Sequence, residues 1–273
     1  MESKQEKITK IIQRGAEYQI QDGTFFFLNG NTVPVHSAGS SSLGLIKDYL
    51  KKYGFFYNAL KDIFKPVWVN RKCIKVMNAL LKQYGVESIT LNLGSGPGTI
   101  KGRSDIINID IYNFNDVDVV ADATNLPFVE NSVDFIINRA LLEHVESPER
   151  VIQEMYRILK PGGSIFCFVP FIQPYHAAPF DFQRWTVSGV IVLFEQFQNI
   201  SVGIGSGPTS GMLWVIQQWL ALLLSFKSKI MHDMIFIFLM ALTFPVKILD
   251  SVLVKHPYAN NIAGGFYIVA KKS

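Results

Sequence analysis

The chain has 273 residues, enough for one large α/β domain with an insertion or for two small domains. Its formal net charge is +4, and its lysines and arginines are scattered, whereas a nucleic-acid-binding protein usually concentrates them on one face. We therefore expect no nucleic-acid partner. The two cysteines, Cys73 and Cys167, match no metal-ligand spacing and are interpreted as small buried apolar residues, which favours a reducing compartment.

The N-terminal part, residues 1–45, is predicted to be an extension that precedes the main domain at 46–273. Its first ten residues lack the apolar segment of a secretory signal, so we expect a cytoplasmic protein. Gln21-Asp22-Gly23-Thr24 is a turn signal between two short apolar runs and predicts a small hairpin. Apolar positions at helical spacing follow over residues 45–84, with Gly85 as the expected C-cap.

From residue 88 onward, short apolar runs predict seven buried strands. They are residues 88–93, 105–109, 116–121, 132–138, 164–169, 199–204 and 264–270. Residues 148–160 and 186–197 are predicted to be helices, the first beginning with a proline at the first helical position. This alternation predicts an α/β fold: a Rossmann-like, seven-stranded, mostly parallel sheet with helices on both faces. Ligands of such sheets bind at the carboxyl ends of the strands.

The stretch 207–260, between the sixth and seventh strands, is a strongly apolar insertion that is expected to be helical. Its two most apolar parts are residues 212–226 and 234–246. As a helix the second part is about 20 Å long, whereas a bilayer core is about 30 Å thick, so neither part is expected to span a membrane. Two interpretations stay open: a helical hairpin on a membrane or partner surface over residues 212–250, or one packed into its own core or a dimer interface.

The sequence Gly94-Ser95-Gly96-Pro97-Gly98 follows the first strand directly and predicts a ligand-binding loop. Glycines let the backbone approach a ligand that a Cβ would exclude, but many nucleotide-binding folds share such a loop. Asp110 ends the second strand, where an acid can accept hydrogen bonds from ribose hydroxyls. Asp122 ends the third, where it can meet an adenine amino group. Residues 99–104 have no apolar helical stripe, so the first crossover helix should be reduced, which weakens the case for NAD.

These motifs resemble those of the class I S-adenosylmethionine-dependent methyltransferases. The resemblance runs through LNLGSGPG, NIDI, ADATNLPF and NSVDFIINRALLEHVESPERVIQEMYRILKPGGSIFCFVP, all within residues 88–171. It implies S-adenosylmethionine as the methyl donor. The positions that it implies for donor binding are Asn92, Gly94, Ser95, Gly96, Gly98, Asp110, Asp122, Ala123 and Arg139. Asn92 departs from the family pattern, which often has an acid there, and an amide offers no charge to the donor's ammonium group.

Candidate catalytic residues follow the fourth and fifth strands. Methyl transfer requires an aligned nucleophile, exclusion of water and, for a hydroxyl acceptor, a base. His176 suits a general base near neutral pH, Asp181 could orient it, and Arg184 could bind an anionic acceptor or pair with Asp181. His144 is a second candidate base, while Glu143 is interpreted as shaping the helix over the site. The structural alternatives are a loop-pinning hydrogen bond for His176 and a simple Asp181–Arg184 ion pair.

The loop HAAPFDFQRWT and the closing HPYANNIAGGFYIVAKK resemble methyltransferases found with bacterial cell-surface polysaccharide biosynthesis. This implies O-methylation of a sugar, glycan or lipid-linked intermediate by a protein peripheral to the inner membrane face. The segment YQIQDGTFFFL resembles the tail of a zinc-ribbon module without its cysteines, so no metal is expected. A Rossmann-type NAD-dependent oxidoreductase and a non-catalytic donor-binding protein are the alternative hypotheses, and the oligomeric state stays open.

Overall fold

A computed structural model describes residues 2–27, 67–177 and 180–273 of the protein. The predicted domain boundary at 45/46 and the first half of the helical pattern at 45–84 lie outside these residues. The helices of the described part are α1 (Lys4–Ile11), α2 (Arg71–Gln83), α3 (Pro148–Ile158), α4 (Val187–Leu193), α5 (Pro208–Leu224), α6 (Lys229–Thr243) and α7 (Asp250–Leu253). Short 3-10 helices cover Leu142–His144, Phe244–Leu249 and Ala259–Ile262.

The strands form one mixed sheet in the order β1-β2-β5-β4-β3-β6-β7-β9-β8. They are β1 (Gln19–Gln21), β2 (Thr24–Phe26), β3 (Thr90–Leu93), β4 (Ile107–Asp110), β5 (Val119–Val120), β6 (Val133–Arg139), β7 (Leu159–Pro170), β8 (Gln198–Ser206) and β9 (Gly265–Lys271). The strands from β2 to β7 in this order pair in parallel, whereas β9 is antiparallel to both β7 and β8. The mixed α/β architecture fits the predicted Rossmann-like fold.

The sheet has nine strands, not the predicted seven. The two additional strands are the N-terminal hairpin β1–β2, which closes through left-handed backbone at Asp22 and Gly23, as the turn signal predicts. The hairpin does not stand apart from the main sheet, because β2 pairs in parallel with β5. Phe25, on β2, is only 2% exposed and belongs to the main core. The N-terminal extension therefore completes one edge of the sheet.

Helices cover both faces of the sheet, because alternate side chains of each strand point in opposite directions. On β6, Ile136 belongs to the core that α1, α3 and α4 cover. Its neighbours Phe135 and Ile137 belong to the opposite core, beneath α2. The strands are buried on both sides, which explains their nearly continuous apolar sequence.

The helix α3 and the strand β7 that follows it differ from their predicted bounds. The buried face of α3 consists of Val151, Ile152, Met155 and Ile158. The helix ends at Ile158, two residues before its predicted end, because Leu159 is extended and pairs with Val133 on β6. The strand then continues to Pro170, with an irregularity where Gly162 takes a positive φ. The first crossover helix, which is predicted to be reduced, is absent from residues 94–106 between β3 and β4, all of them described.

The apolar insertion forms the predicted helical hairpin. Helices α5 and α6 pack together through Trp214, Ala221, Phe236 and Met240. The helix that begins with α6 continues through Phe244–Leu249 into α7. Lys229–Leu253 thus spans 25 residues, and an 18-residue window within it has a mean hydropathy of 1.9, so it is long and apolar enough to cross a membrane by length and composition alone. The expectation that neither part spans a membrane rests on residues 234–246, which are only part of this helix, and it stays a prediction.

One carboxylate ties the two ends of the insertion together at its junction with the sheet. Asp250 accepts hydrogen bonds from the backbone amides of Thr209 (2.7 Å) and Ser210 (3.0 Å) and from the Ser210 hydroxyl (2.6 Å). An acid at a helix N-terminus satisfies amides that have no partner within the helix. A side chain at Gly207 would collide with this carboxylate, since its Cβ would lie 2.2 Å from Asp250. The start of α5 is therefore fixed next to the end of the strand β8.

Candidate active site

The carboxyl ends of the parallel strands meet at one edge of the sheet, and the predicted site residues follow them. The last residues of these strands are Leu93, Asp110, Val120, Arg139 and Pro170. Strand β8 runs in the same direction as β7, because both are antiparallel to β9. Helix α5 therefore also begins at this edge.

The glycine loop after β3 bends back onto the neighbouring strand β4. The amides of Gly94 and Ser95 both donate to the carbonyl of Ile109, at 2.9 and 3.0 Å. Gly94 has a φ of +69°, and a Cβ there would lie 2.8 Å from Cβ of Leu141. Both the backbone conformation and the lack of space require glycine at this position.

Asp110 holds the loop from the end of β4. Its Oδ2 accepts the amide of Gly96 at 2.8 Å, and its Oδ1 accepts the amide of Tyr112 at 3.0 Å. A carboxylate oxygen has two lone pairs, so each can accept one further hydrogen bond from a ligand hydroxyl. A Cβ added at Gly98 would meet no atom within 4 Å, which leaves open space beside the loop.

Asp122 follows β5 and is also turned toward its own loop. Its Oδ1 accepts hydrogen bonds from the amide and the hydroxyl of Thr124, both at 2.8 Å. Within the described ranges nothing donates to Oδ2, so this oxygen is able to accept an exocyclic amine. The next residue, Ala123, packs against the edge of the main core.

Asn92 and Arg139, both predicted to bind the donor, lie in contrasting environments: the first is buried and the second is exposed. Asn92 is 1% exposed, and its Nδ2 donates to Oδ1 of Asn108 at 2.9 Å, inside the sheet. Its amide therefore bonds within the core, and a contact with the donor stays a prediction. Arg139 is exposed at the strand end. Ala140, which follows it, has a φ of +57°, a strained conformation for a residue with a side chain and one that often marks functional sites.

A second cluster is centred on the carboxylate of Glu143, in the 3-10 helix after β6. Glu143 is 0% exposed, and neither of its carboxylate oxygens accepts a hydrogen bond from the part of the chain that is described. Its Oε1 lies 3.9 Å from Nε2 of His144 and 3.9 Å from Nε2 of His176. Burial raises the pKa of Glu143 to about 7, although Arg184 and the residue's own backbone oppose this shift.

The hydrogen-bond partners of the two histidines indicate which ring nitrogen carries the proton. Nδ1 of His176 lies 2.9 Å from the carbonyl of Pro174, and Nδ1 of His144 lies 2.6 Å from that of Phe180. Carbonyls only accept hydrogen bonds, so both Nδ1 atoms carry the proton, and both Nε2 atoms, each 3.9 Å from Oε1 of Glu143, are unprotonated. Burial lowers the pKa of His176, which favours this neutral form. Arg184 also approaches Nδ1 of His176, at 3.2 Å, but this guanidinium donates to other acceptors.

Asp181 and Arg184 form a two-pronged ion pair that fixes the loop backbone. Both guanidinium Nη atoms donate to the carboxylate of Asp181. Asp181 also accepts the backbone amide of His176 at 2.7 Å, but it lies 3.7 Å from the ring Nδ1. The Pro174 carbonyl is the hydrogen-bond partner of the ring Nδ1, and an orienting role of Asp181, whose carboxylate lies 3.7 Å from that nitrogen, stays a prediction. Burial would raise the pKa of Asp181, but these hydrogen bonds outweigh it and lower the pKa to about 2.

Three residues of this edge were not among the predicted site residues. Glu143 was assigned to helix shape alone. Trp214, on α5, has its ring centroid 5.3 Å from that of His176, and its buried Nε1 has no hydrogen-bond acceptor among the described residues. Asn138, near the end of β6, is 0% exposed, and neither atom of its side-chain amide has a hydrogen-bond partner among the described residues. Buried polar atoms without partners are rare in folded proteins, so ordered water or a bound ligand is expected to satisfy them.

Comparison with known proteins gives matches to methyltransferases. The family described as "Methyltransferase domain" matches residues 103–167. Demethylmenaquinone methyltransferase of Listeria monocytogenes is 32% identical over 90 residues, which are 32% of this chain and 37% of that protein. The enzyme of the same name from Paenarthrobacter aurescens is 45% identical over 122 residues, 40% of this chain and 48% of that protein.

Among solved structures, phosphoethanolamine N-methyltransferase 2 of Haemonchus contortus, in complex with phosphomonomethylethanolamine and S-adenosylhomocysteine, has a TM-score of 0.44 and 16% identity. The match covers 71% of this chain and 52% of that one. The chain spans less than half the length of the two demethylmenaquinone methyltransferases. The prediction of a methyltransferase domain is confirmed for residues 103–167. These proteins are not named for a glycan acceptor, so the polysaccharide subgroup stays a prediction.

Proposed function

We propose that the protein is an S-adenosylmethionine-dependent methyltransferase. The observation that carries this proposal is the hydrogen bond between the Gly96 amide and Asp110, which joins the glycine loop to the methyltransferase-domain match at 103–167. It supports a donor site in which the glycine loop contacts the amino-acid part of the donor. Asp110 then binds the ribose hydroxyls, and Asp122 the adenine amine.

The acceptor is proposed to bind beside Glu143, His144 and His176. Its nucleophilic oxygen attacks the methyl carbon of the sulfonium, the carbon–sulfur bond breaks, and the bonding electrons stay on sulfur. The acceptor oxygen loses its proton in the same reaction. The unprotonated Nε2 atoms of the two histidines face the place where a base is needed, and the Glu143 carboxylate would stabilise an imidazolium.

We propose a sugar, glycan or lipid-linked intermediate as the acceptor, with the protein in the cytoplasm and peripheral to the inner membrane face. The apolar residues of the hairpin α5–α6 support this choice. A demethylmenaquinone-like acceptor is the second candidate, because the similar proteins carry that name. The proposal includes no nucleic-acid partner and leaves the oligomeric state open.

The alternative hypotheses differ from this proposal in one feature each. An NAD-dependent oxidoreductase needs a helix N-terminus for the pyrophosphate, and the fully described segment 94–106 contains no helix. A non-catalytic donor-binding protein would bind the donor and transfer nothing.

The proposal is tested by incubating the full chain with methyl-labelled S-adenosylmethionine and pools of extracted glycans, lipid-linked sugars and quinones. Mass spectrometry should find one acceptor that gains a methylene unit and carries the label. Donor binding without label transfer to any pool would favour the non-catalytic alternative. A chain that binds NADH and not S-adenosylmethionine would overturn the proposal.

A further inference from the structure

We propose that Glu143, His144 and His176 bind one divalent metal ion at the acceptor side of the site. This inference rests on the proposed function for its role, and it departs from the expectation of no metal, which considered cysteine spacing only. Its basis is the arrangement of three potential ligand atoms. One carboxylate oxygen and two imidazole nitrogens all lie within 4.8 Å of one another.

The distances between these atoms are close to those of a coordination sphere. Zinc bonds to histidine nitrogen and carboxylate oxygen are about 2.0–2.2 Å long, so tetrahedral ligands lie about 3.4 Å apart. The carboxylate oxygen Oε1 lies 3.9 Å from each Nε2 atom. Small rotations of three side chains therefore suffice to close the ligands around an ion.

The hydrogen bonds made by Nδ1 of both histidines are typical of metal-binding imidazoles. A ligating histidine usually donates its second ring N–H to a backbone carbonyl or a carboxylate, which fixes the ring and its tautomer. His176 donates Nδ1–H to Pro174, and His144 donates Nδ1–H to Phe180. Both Nε2 atoms are thereby left unprotonated, and each lies 3.9 Å from Oε1 of Glu143 without a ligand in place.

The electrostatics of Glu143 supply an independent observation. Glu143 is 0% exposed and accepts no hydrogen bond within the described chain, so its ionised form is costly unless a cation or donor meets it. The nearest guanidinium, that of Arg184, donates to both carboxylate oxygens of Asp181. A divalent ion would satisfy the Glu143 carboxylate and the two imidazoles together.

The ligand set indicates the kind of ion and its role. Two imidazoles and one carboxylate suit Zn²⁺ or another first-row transition metal better than Mg²⁺ or Ca²⁺. Three protein ligands leave a position for an oxygen of the acceptor, whose proton becomes more acidic on binding and passes to water. A bound ion would replace the histidine base described under the proposed function, because coordination uses the Nε2 lone pairs, and His176 would then act on the acceptor through the ion.

The test is titration of the EDTA-treated full chain with ZnCl₂ and MnCl₂ by calorimetry, with metal content measured after dialysis. We expect one ion per chain, and binding at least about tenfold weaker in Glu143→Gln and His176→Gln. His256→Gln removes an exposed histidine of another segment and should bind the ion like the unaltered chain. Equal binding by all four proteins, or no binding by the unaltered chain, would overturn the metal site.

Donor binding, measured in the same samples, separates this inference from the proposed function. S-adenosylmethionine should bind Glu143→Gln and His176→Gln with unchanged affinity, which also shows that these two variants are folded. His144→Gln is a third variant that tests the site if Glu143→Gln does not fold. Loss of ion binding in the unaltered chain with intact donor binding refutes the metal site alone. An unaltered chain that does not bind S-adenosylmethionine refutes the proposed function.

Discussion

The backbone amide of Gly96 donates a 2.8 Å hydrogen bond to the carboxylate of Asp110. This bond joins the glycine loop after β3 to the end of β4. The loop and the acid are therefore held in place before a donor binds, and binding does not have to order them. Both elements could be identified from the sequence, but the bond between them could not.

Two glycines of the loop are predicted to respond differently to alanine. Gly98→Ala should leave the free energy of unfolding within about 0.5 kcal/mol of the unaltered value, because its Cβ would meet no atom of the protein within 4 Å. It should weaken S-adenosylmethionine binding, because the Cβ enters the space assigned to the donor. Gly94→Ala should cost about 2 kcal/mol of stability through its positive φ and the contact with Leu141. Urea unfolding and calorimetry measure both, and a Gly98→Ala variant with unchanged donor affinity would contradict the donor assignment.

His176→Ala is predicted to lower turnover by about 100-fold or more and to leave donor affinity unchanged. The ring lies in the acceptor cluster, not in the loop that binds the donor. Tyr175→Ala is the matched control, because this neighbouring side chain is 73% exposed. Once an acceptor is known, kcat and donor affinity are measured for both. Turnover that is equal in the two variants would reject a catalytic role for His176.

Arg184→Ala is predicted to destabilise the protein by about 3 kcal/mol. The change leaves the Asp181 carboxylate, whose side chain is 1% exposed, without its charge partner. Arg184→Lys should recover part of the loss, since an ammonium keeps the charge but not the two-pronged contact. Arg150→Ala removes an exposed arginine from α3 and serves as the control. If Arg184→Ala and Arg150→Ala unfold at the same urea concentration, the ion pair does not stabilise the loop.

The outer face of α6 is predicted to bind anionic membranes. Four apolar side chains, spaced four residues apart, are 61–72% exposed: Ile230, Met234, Phe238 and Leu242. Lys227 and Lys229 are exposed beside them, which suits a negatively charged surface. Replacing Met234 and Phe238 by glutamine should reduce co-sedimentation with phosphatidylglycerol vesicles. Val192→Gln, at a 65% exposed site on α4, should not. Equal sedimentation of the two variants would exclude this face, and a concentration-dependent dimer that the double variant abolishes would assign it to self-association.

Most of the sheet could be predicted because its strands carry local signals. The apolar runs that end at Gly94 and Asp110 are recognisable without knowledge of their partners. The pairing of Phe25 with Val119 could not be predicted, since the residues are far apart in sequence and both lie in short runs. The early start of β7 was missed because Pro161-Gly162-Gly163 is typical of a loop. A positive φ at Gly162 instead allows pairing with β6 on both sides of the irregularity.

The sequence identified many residues of the candidate site, but it did not indicate which of them contact each other. The sequence indicates that Asp181 and His176 share a loop, and the structure shows that the hydrogen bond to Asp181 comes from the His176 amide, while the ring Nδ1 lies 3.7 Å from the carboxylate. The burial of Glu143 also could not be foreseen. Three residues of a short 3-10 helix show no periodicity that would indicate a buried face. The position of Phe182, whose amide donates to the Glu143 carbonyl, also depends on contacts between distant parts of the chain.

Calorimetric titration with S-adenosylmethionine tests the central claim most directly. The full chain should bind one donor, and Asp110→Ala should bind it at least about tenfold more weakly, which corresponds to about 1.4 kcal/mol. Asp116→Ala, which removes an exposed acid from the segment after β4, should bind like the unaltered chain. An unaltered chain that does not bind the donor, or an Asp110→Ala variant that binds it equally well, would contradict the account.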